Sequence, residues 1–400
     1  MYCTRKITNS IHWVGGNDRR LALFENLFPI PRGVSYNSYL IEDEKIALID
    51  TVDASITQQY LENVLFLLNG RTLDYLIINH MEPDHCANIE ELLLRFPDLK
   101  IVGNAQTFSF IKQFYNFNLD GHTITIKEND SLSLGNHTLR FYFAPMVHWP
   151  EVMVTYEETK KVLFSADAFG CFGALNGNIF SDEVDFDRDW ISDARRYYGN
   201  IVGKYGLQVQ KVLKKLSGLE LNIICPLHGP VWRDNFDYLL GKYDLWSRYE
   251  AEERTVAIMY GSMYGNTENS VNFLANGLAD AGVRNIAIYD ISSTHISTLI
   301  AEIFRCSHLV LAAPTYNGGI YPPMLNLLHD MKALNLSKRT IALIGNGTWA
   351  PLTAPMQTLL EEMKQMQILE PVVTLKTTLK EDSMEQLNQL KLHLLSSLSE

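Results

Sequence analysis

The stretch YLIINHMEPDH, residues 75–85, decides how the chain is read. Its first part is an apolar run of strand length. Its second part crowds His80, Glu82, Asp84 and His85 into six positions, spaced H-x-E-x-D-H, ahead of a helical pattern. Loops at the C-terminal ends of buried strands are where α/β proteins concentrate their chemistry. Taken singly, Asp84 reads as the N-cap of the helix in CANIEELLL, and the two histidines as surface residues. Taken together, the four read as metal ligands.

More ligands stand at the ends of other strand-like runs in the same half. FYFAPMVHWP (141–150) delivers His148, KVLFSADAFG (161–170) delivers Asp167, and NIICPLHGPVW (222–232) delivers His228. Each alone could be a core histidine or a turn-capping aspartate. Their shared placement makes one site the economical reading.

Composition narrows the class. The 400 residues exceed one ordinary core and predict two or three domains. Hydrophobic residues make up 46% and charged residues 20%, as in a soluble globular chain. Net charge is −12 with no basic block, which argues against a nucleic-acid or anionic-membrane surface. The opening MYCTRKITNSIHWVGG lacks the apolar core of a signal peptide, and no run approaches the roughly 18 apolar residues of a membrane span. The five cysteines (Cys3, Cys86, Cys171, Cys225, Cys306) are scattered and form no CxxC pair. This excludes a disulfide framework, a zinc ribbon and a fused rubredoxin-type iron site, and predicts a cytoplasmic protein.

The two halves differ in rhythm. Up to about residue 250, strands come in hairpin-like groups such as VSYNSYLIEDEKIALIDT (34–51) and HTITIKENDSLSLGNHTLRFYFAP (122–145), with helical patterns between them. From residue 254 the runs RTVAIMYG, NIAIYDI, HLVLAAPT, TIALIGNG and EPVVTLKT are continuously apolar, and each precedes an amphipathic stretch. That alternation predicts a five-stranded parallel sheet covered on both faces. The charged segment YDLWSRYEAEERT (243–255) marks the expected boundary, giving domains 1–250 and 254–400.

The second half carries its own site. AIMYGSMYGNTENSV (257–271) follows the first strand and opens a helix, so Ser262, Met263, Tyr264, Gly265, Asn266 and Thr267 form a phosphate nest. No lysine precedes a Ser or Thr there, which excludes a nucleoside-triphosphatase loop, and G-x-G-x-x-G is absent. A monophosphate held without a strong cation fits flavin mononucleotide (FMN). APTYNGGIYPP (313–323) and GNGTWAP (345–351) follow the third and fourth strands on the same sheet edge. They contribute Pro314, Thr315, Tyr316, Asn317 and Gly318, then Asn346, Gly347, Thr348 and Trp349. Tyr316 and Trp349 can flank a planar ring.

HMEPDH, HWPEVMVTY, LFSADAFG and PLHGPVW, in that order and at these intervals, resemble the metallo-β-lactamase-like domain of the flavodiiron proteins. The second half resembles the short-chain flavodoxin fold of the same family, so the resemblance covers essentially the whole chain. It implies an α+β (αββα) sandwich followed by an α/β flavodoxin-like doubly wound sheet. Zinc hydrolases of the first fold carry H-x-H-x-D-H; Glu82 at the middle position adds a hard anionic oxygen suited to iron that cycles between ferrous and ferric. The resemblance places one iron on His80, Glu82 and His148, and the other on Asp84, His85 and His228, with Asp167 bridging. ARRYYGNIV (194–202) resembles a family segment whose tyrosine faces the irons, implying Tyr197, or alternatively Tyr198, as proton donor or positioning group. Trp149 is expected to shield the site. Where the family often has Ser-Tyr-Gly-Trp, this chain has Asn346-Gly347-Thr348-Trp349, keeping the tryptophan and losing the tyrosine.

The implied activity is oxidoreductase: FMN passes electrons to a diiron centre that reduces dioxygen to water and/or nitric oxide to nitrous oxide. The alternative is a binuclear zinc hydrolase fused to a flavodoxin-like domain. Implied partners are a rubredoxin or a reduced deazaflavin as external donor, and a second copy of the chain in a head-to-tail homodimer or dimer of dimers.

Overall fold

The structure is a computed structural model and describes residues 2–399. It resolves into two compact units. The first takes the chain to Tyr198 together with Leu207–Tyr243; the second takes Gly199–Gly206 with the chain from Asp244 onward.

The first unit is built on two sheets. One has seven strands in the order Arg5–Lys6, Ile11–Trp13, Tyr39–Ile41, Ala47–Ile49, Tyr75–Ile77, Lys100–Gly103 and Thr123–Thr125. Its pairings are antiparallel up to Ala47–Ile49 and parallel beyond it. The other has five strands, Ser131–Ser133, Thr138–Phe143, Met153–Glu157, Val162–Phe164 and Ile223–Cys225, with only the last pairing parallel. Strands at the centre, such as Tyr39–Ile41, Ala47–Ile49 and Val162–Phe164, are buried at every position. Such strands tolerate no polar alternation, which is why their sequences read as continuous apolar runs.

Polar groups tie the two sheets together near the metal-ligand loops. The Asn79 carbonyl accepts from Met153 N (3.0 Å), and its side-chain oxygen accepts from Thr155 Oγ1 (2.7 Å). The Asn37 amide donates to the carbonyls of Pro226 and Gly229, both at 2.9 Å, and the Tyr39 hydroxyl donates to Pro226 O at 2.7 Å. Buried amides satisfied on several sides hold strand ends in fixed register.

The second unit is a parallel sheet in the order Ala287–Asp290, Glu253–Tyr260, Cys306–Tyr316, Arg339–Asn346, with Met366–Ile368 and Val373–Leu375 sharing the last position. In chain order this is 2-1-3-4-5, the flavodoxin-like doubly wound arrangement. One face of its core gathers Val256, Ile258, Val310, Ala312, Ala342 and Ile344 from the strands. Within this unit, Asn200 donates to the Ser297 carbonyl (3.1 Å), and a Cβ at Gly199 would lie 3.0 Å from the Phe304 ring, a packing distance that glycine leaves open. No helix among the described residues is long and apolar enough to cross a membrane.

Candidate metal centre and cofactor pocket

Four strand ends of the first unit supply the metal-ligand side chains. Tyr75–Ile77 runs out into His80 and Glu82, and the short helix Pro83–Cys86 carries Asp84 and His85. His148 follows Thr138–Phe143, Asp167 follows Val162–Phe164, and His228 follows Ile223–Cys225. The ligand atoms fall into two groups, His80–Glu82–His148–Asp167 and Asp84–His85–His228, with each group's atoms within 4.8 Å of one another.

Shared carboxylates organise these groups. Glu82 Oε2 lies 3.2 Å from His80 Nε2 and 3.0 Å from His148 Nε2. Asp84 Oδ2 lies 3.3 Å from the Nε2 atoms of both His85 and His228. Asp167 divides its oxygens: Oδ2 is 3.3 Å from His80 Nε2 and 3.1 Å from His148 Nε2, whereas Oδ1 is 3.2 Å from His85 Nε2 and 3.7 Å from His228 Nε2. A carboxylate with one oxygen toward each group has the geometry of a bridge.

The donor set fits a pair of cations. Both Asp84 oxygens, Asp167 Oδ1, His228 Nε2 and both His85 ring nitrogens are buried with no hydrogen-bond partner among the described residues. Leaving so many buried polar atoms unpaired is costly unless something else coordinates them. Without metal, the groups stabilise one another's charges. Burial opposes protonation of His80, yet Asp167, Glu151 and Glu82 outweigh it and hold its pKa well above the ordinary value. Burial likewise opposes protonation of His148, and hydrogen bonds to Asp167 and Glu82 push it up to about 9. Burial would raise Asp167, but His85, His80 and His148 hold it well below the carboxylate range. Three carboxylates and four neutral imidazoles would leave a bound pair of divalent or trivalent irons net positive.

Aromatic groups close the surroundings. Trp149 packs edge-on to His80 with centroids 5.3 Å apart, backed by Phe110 at 6.1 Å. The Tyr197 ring lies 5.6 Å from that of His228, and its buried hydroxyl has no partner among the described residues. Burial, reinforced by Asp167, raises the Tyr197 pKa well above 10, so the hydroxyl keeps its proton. Its neighbour Tyr198 instead packs against Tyr243, 5.0 Å between centroids. Gly170 makes the approach possible, because a Cβ there would meet the Tyr197 ring at 2.8 Å.

Four more contributors were not read from the sequence. Phe24 and Tyr36 flank His228 at 5.4 and 5.8 Å. Glu25 sits at the tip of the hairpin formed by Leu23–Phe24 and Phe28–Pro29, where it and Asn26 both adopt left-handed φ angles (50° and 54°). Its residue surface is exposed, yet the carboxyl meets that of Glu82, and burial together with this like charge raises its pKa to about 8. Glu151, three residues after His148, accepts from His80 Nδ1 at 2.8 Å. Only Glu151 had a local signal, its proximity to a ligand histidine.

In the second unit, a cavity of about 270 Å³ lies at the C-terminal edge of the sheet. Ser262, Met263, Tyr264, Asn266 and Thr267 line it from the first loop, Pro314 and Thr315 from the second, and Asn346, Gly347, Thr348 and Trp349 from the third. Gly265, Tyr316, Asn317 and Gly318 are not among the lining residues; Gly265 instead stands at φ 82° just ahead of the helix Asn266–Asp280. That helix aims its first-turn N–H groups at the cavity end, an arrangement suited to a phosphate. No lining residue carries a charge.

Thr377 completes the wall and was not anticipated. Asn346 grips it from both sides, accepting from Thr377 N (3.0 Å) and donating to Thr377 O (3.0 Å), while the Thr377 hydroxyl donates to Thr348 Oγ1 (2.9 Å). The clamp holds Thr377 at φ 71°, a conformation that β-branched residues rarely adopt.

Comparison with known proteins agrees with this geometry. A family model described as ODP family beta lactamase matches residues 34–229. The chain is 32% identical over 354 residues to the anaerobic nitric oxide reductase flavorubredoxin of Escherichia coli O1:K1 / APEC, covering 86% of this chain and 72% of that protein. It superposes on the rubredoxin oxygen:oxidoreductase of the anaerobe Desulfovibrio gigas with a TM-score of 0.90 at 28% identity, covering 99% of both chains. The flavodiiron protein of Giardia intestinalis shares the fold, with a TM-score of 0.91 at 24% identity over 100% of this chain and 98% of that one. With a bridging-type carboxylate between two ligand groups in one unit, an uncharged cavity at the sheet edge of the other and the 32% identity to a flavorubredoxin, the chain belongs to the flavodiiron proteins, oxidoreductases that work with FMN and a diiron centre.

Proposed function

We propose that this flavodiiron protein takes electrons at FMN and delivers them to a diiron centre that reduces dioxygen to water, or nitric oxide to nitrous oxide and water. The observation that carries the reading is the division of the Asp167 oxygens between the two ligand groups. Reduction of one dioxygen needs four electrons and four protons, and coupling of two nitric oxides needs two of each. Bound FMN and a pair of irons supply redox chemistry of that capacity. In this assignment the iron sites are His80–Glu82–His148 and Asp84–His85–His228 with Asp167 between them, in a domain spanning residues 1–250. The FMN domain spans residues 254–400.

The chain's own residues set the conditions for that chemistry. Trp149, Phe24 and Tyr36 wall the metal centre with aromatic surface and limit water. Tyr197 keeps its proton and serves as a hydrogen-bond donor beside His228. The helix Asn266–Asp280 and the hydroxyls of Ser262 and Thr267 bind the phosphate end of the cofactor, and the Asn346–Thr377 clamp fixes the wall beside its ring.

The functional unit in this reading is a head-to-tail homodimer, with the FMN domain of one copy against the metal centre of the other. Its support is exposed apolar surface beside each site. Trp349 is 81% exposed and Tyr264 89% at the cavity rim, and Leu27 is 56% exposed on the hairpin next to His228. The external donor is a rubredoxin or a reduced deazaflavin, and the location is cytoplasmic, consistent with five free cysteines. The zinc-hydrolase alternative is disfavoured by Glu82 and by the cavity of the second unit.

The test is metal and flavin analysis followed by steady-state consumption of each gas with the same artificial reductant. Two irons and one FMN per chain with turnover of either gas are expected. Tightly bound zinc that supports ester or lactam hydrolysis would overturn the proposal, and full turnover by a dilute monomer would overturn the dimer.

A further inference from the structure

The far side of the His80 ring carries a second interaction that the metal assignment does not use. His80 is fully buried; its Nε2 faces Glu82 and Asp167, and its Nδ1 lies 2.8 Å from Glu151 Oε1. The same oxygen accepts from Met81 N at 2.8 Å. Glu151 is itself 1% exposed and anchored through its backbone, because its carbonyl accepts from Asn104 Nδ2 at 2.6 Å. Asn104 in turn caps the helix Ala105–Phe114 by accepting from Gln106 N and Thr107 N. The backbone of Glu151 is thus fixed beside the imidazole, and Met81 N holds the carboxyl oxygen that faces Nδ1.

The other imidazoles are backed differently. His228 Nδ1 meets a neutral acceptor, the Ser35 carbonyl, at 2.7 Å. His85 Nδ1 has no hydrogen-bond partner among the described residues. An imidazole that binds metal through Nε2 must carry its proton on Nδ1, and an acceptor there fixes the tautomer, the ring plane and the donor strength. An anionic acceptor does so more strongly than a neutral one.

We propose that Glu151 is a positioning residue for the metal centre: it locks His80 with the Nε2 lone pair turned toward the metals, and so makes the His80–Glu82–His148 position the slower of the two to exchange its ion. The inference rests on the diiron reading of the two ligand groups.

The test uses full-length, iron-loaded protein as wild type, Glu151→Gln and Glu151→Ala. Each is challenged with excess ferrous chelator; release is followed by absorbance, and iron-57 Mössbauer spectra identify which environment empties. Wild type is expected to lose its irons in two phases. Glu151→Ala should accelerate the slow phase by about 10–100-fold and leave the fast phase and the flavin content unchanged. Glu151→Gln keeps the volume and an amide oxygen able to accept from Nδ1–H and from Met81 N, so its slow phase should fall between the two. It also carries the test should the alanine variant fail to fold. A slow phase unchanged in both variants would overturn the inference, as would equal acceleration of both phases, which marks general loosening. Wild-type protein that retains no iron would overturn the diiron reading and this inference with it.

Discussion

The metal centre and the flavin cavity are built on opposite plans. At the metal centre His80, His85 and His228 are 0% exposed and Asp167 is 1% exposed, fixed at strand ends or, for His85, on the short helix Pro83–Cys86. At the flavin cavity the largest side chains face solvent, with Trp349 at 81% and Tyr264 at 89% exposure, while the small polar groups beneath them are hydrogen-bonded. The first site is organised by the core before any metal arrives. The second has a fixed floor and an unfinished lid, which a planar ligand or a partner surface completes. Iron loss should leave the buried ligand atoms of the first unit without partners and lower its stability, whereas flavin loss should disturb the second unit little.

The sharpest way to break this contrast is Asp167→Ala. Removing the one carboxylate shared by both ligand groups should abolish gas reduction and reduce bound iron, with FMN retained; turnover near wild type in iron-replete protein would refute the bridge. Next is Asn346→Ala, which leaves the Thr377 N–H and C=O without their partner. Flavin affinity should fall by about 1–3 kcal/mol, read from a flavin titration, with iron content unchanged. An unaltered dissociation constant would mean that the 377 segment is not part of the site.

Tyr197→Phe deletes only a hydroxyl. Turnover should drop roughly ten-fold, about 1.4 kcal/mol, with iron content and Mössbauer parameters retained. Equal turnover would show that Tyr197 is a packing residue. The smallest effect is expected at Trp349→Ala, because that ring is exposed and contributes only its stack. A loss of about 1 kcal/mol in flavin binding is anticipated, and no change would place the indole away from the flavin.

What the sequence disclosed follows the same divide between local and distant. His80, Glu82, Asp84 and His85 are adjacent in the chain, and the strands that deliver His148, Asp167 and His228 are apolar runs, so periodicity and ligand type marked them. The continuously apolar strands of the second half revealed its parallel sheet for the same reason. Glu25, Phe24 and Tyr36 reach the centre from more than 40 residues upstream of His80, the first two on a hairpin of two-residue strands and Tyr36 at the end of the three-residue strand Val34–Tyr36, elements too short to leave a pattern. Thr377 was hidden because its role depends on a left-handed backbone imposed by Asn346, which no residue-type preference encodes. The nearby Tyr316 drew attention as an aromatic in a glycine-rich loop, yet it stands 44% exposed and outside the cavity lining.

The uncharged lining of the flavin cavity bears on the charge its ligand can carry as well as on its binding. A flavin that gains electrons accumulates negative charge, and a wall with no lysine or arginine offers that charge only dipoles and N–H groups. On a chain of net charge −12 the surrounding field adds to the penalty. A flavin held there would gain no stabilisation of its reduced, more negative form from a cationic side chain of the wall, which would favour the oxidised form relative to a site lined by lysine or arginine.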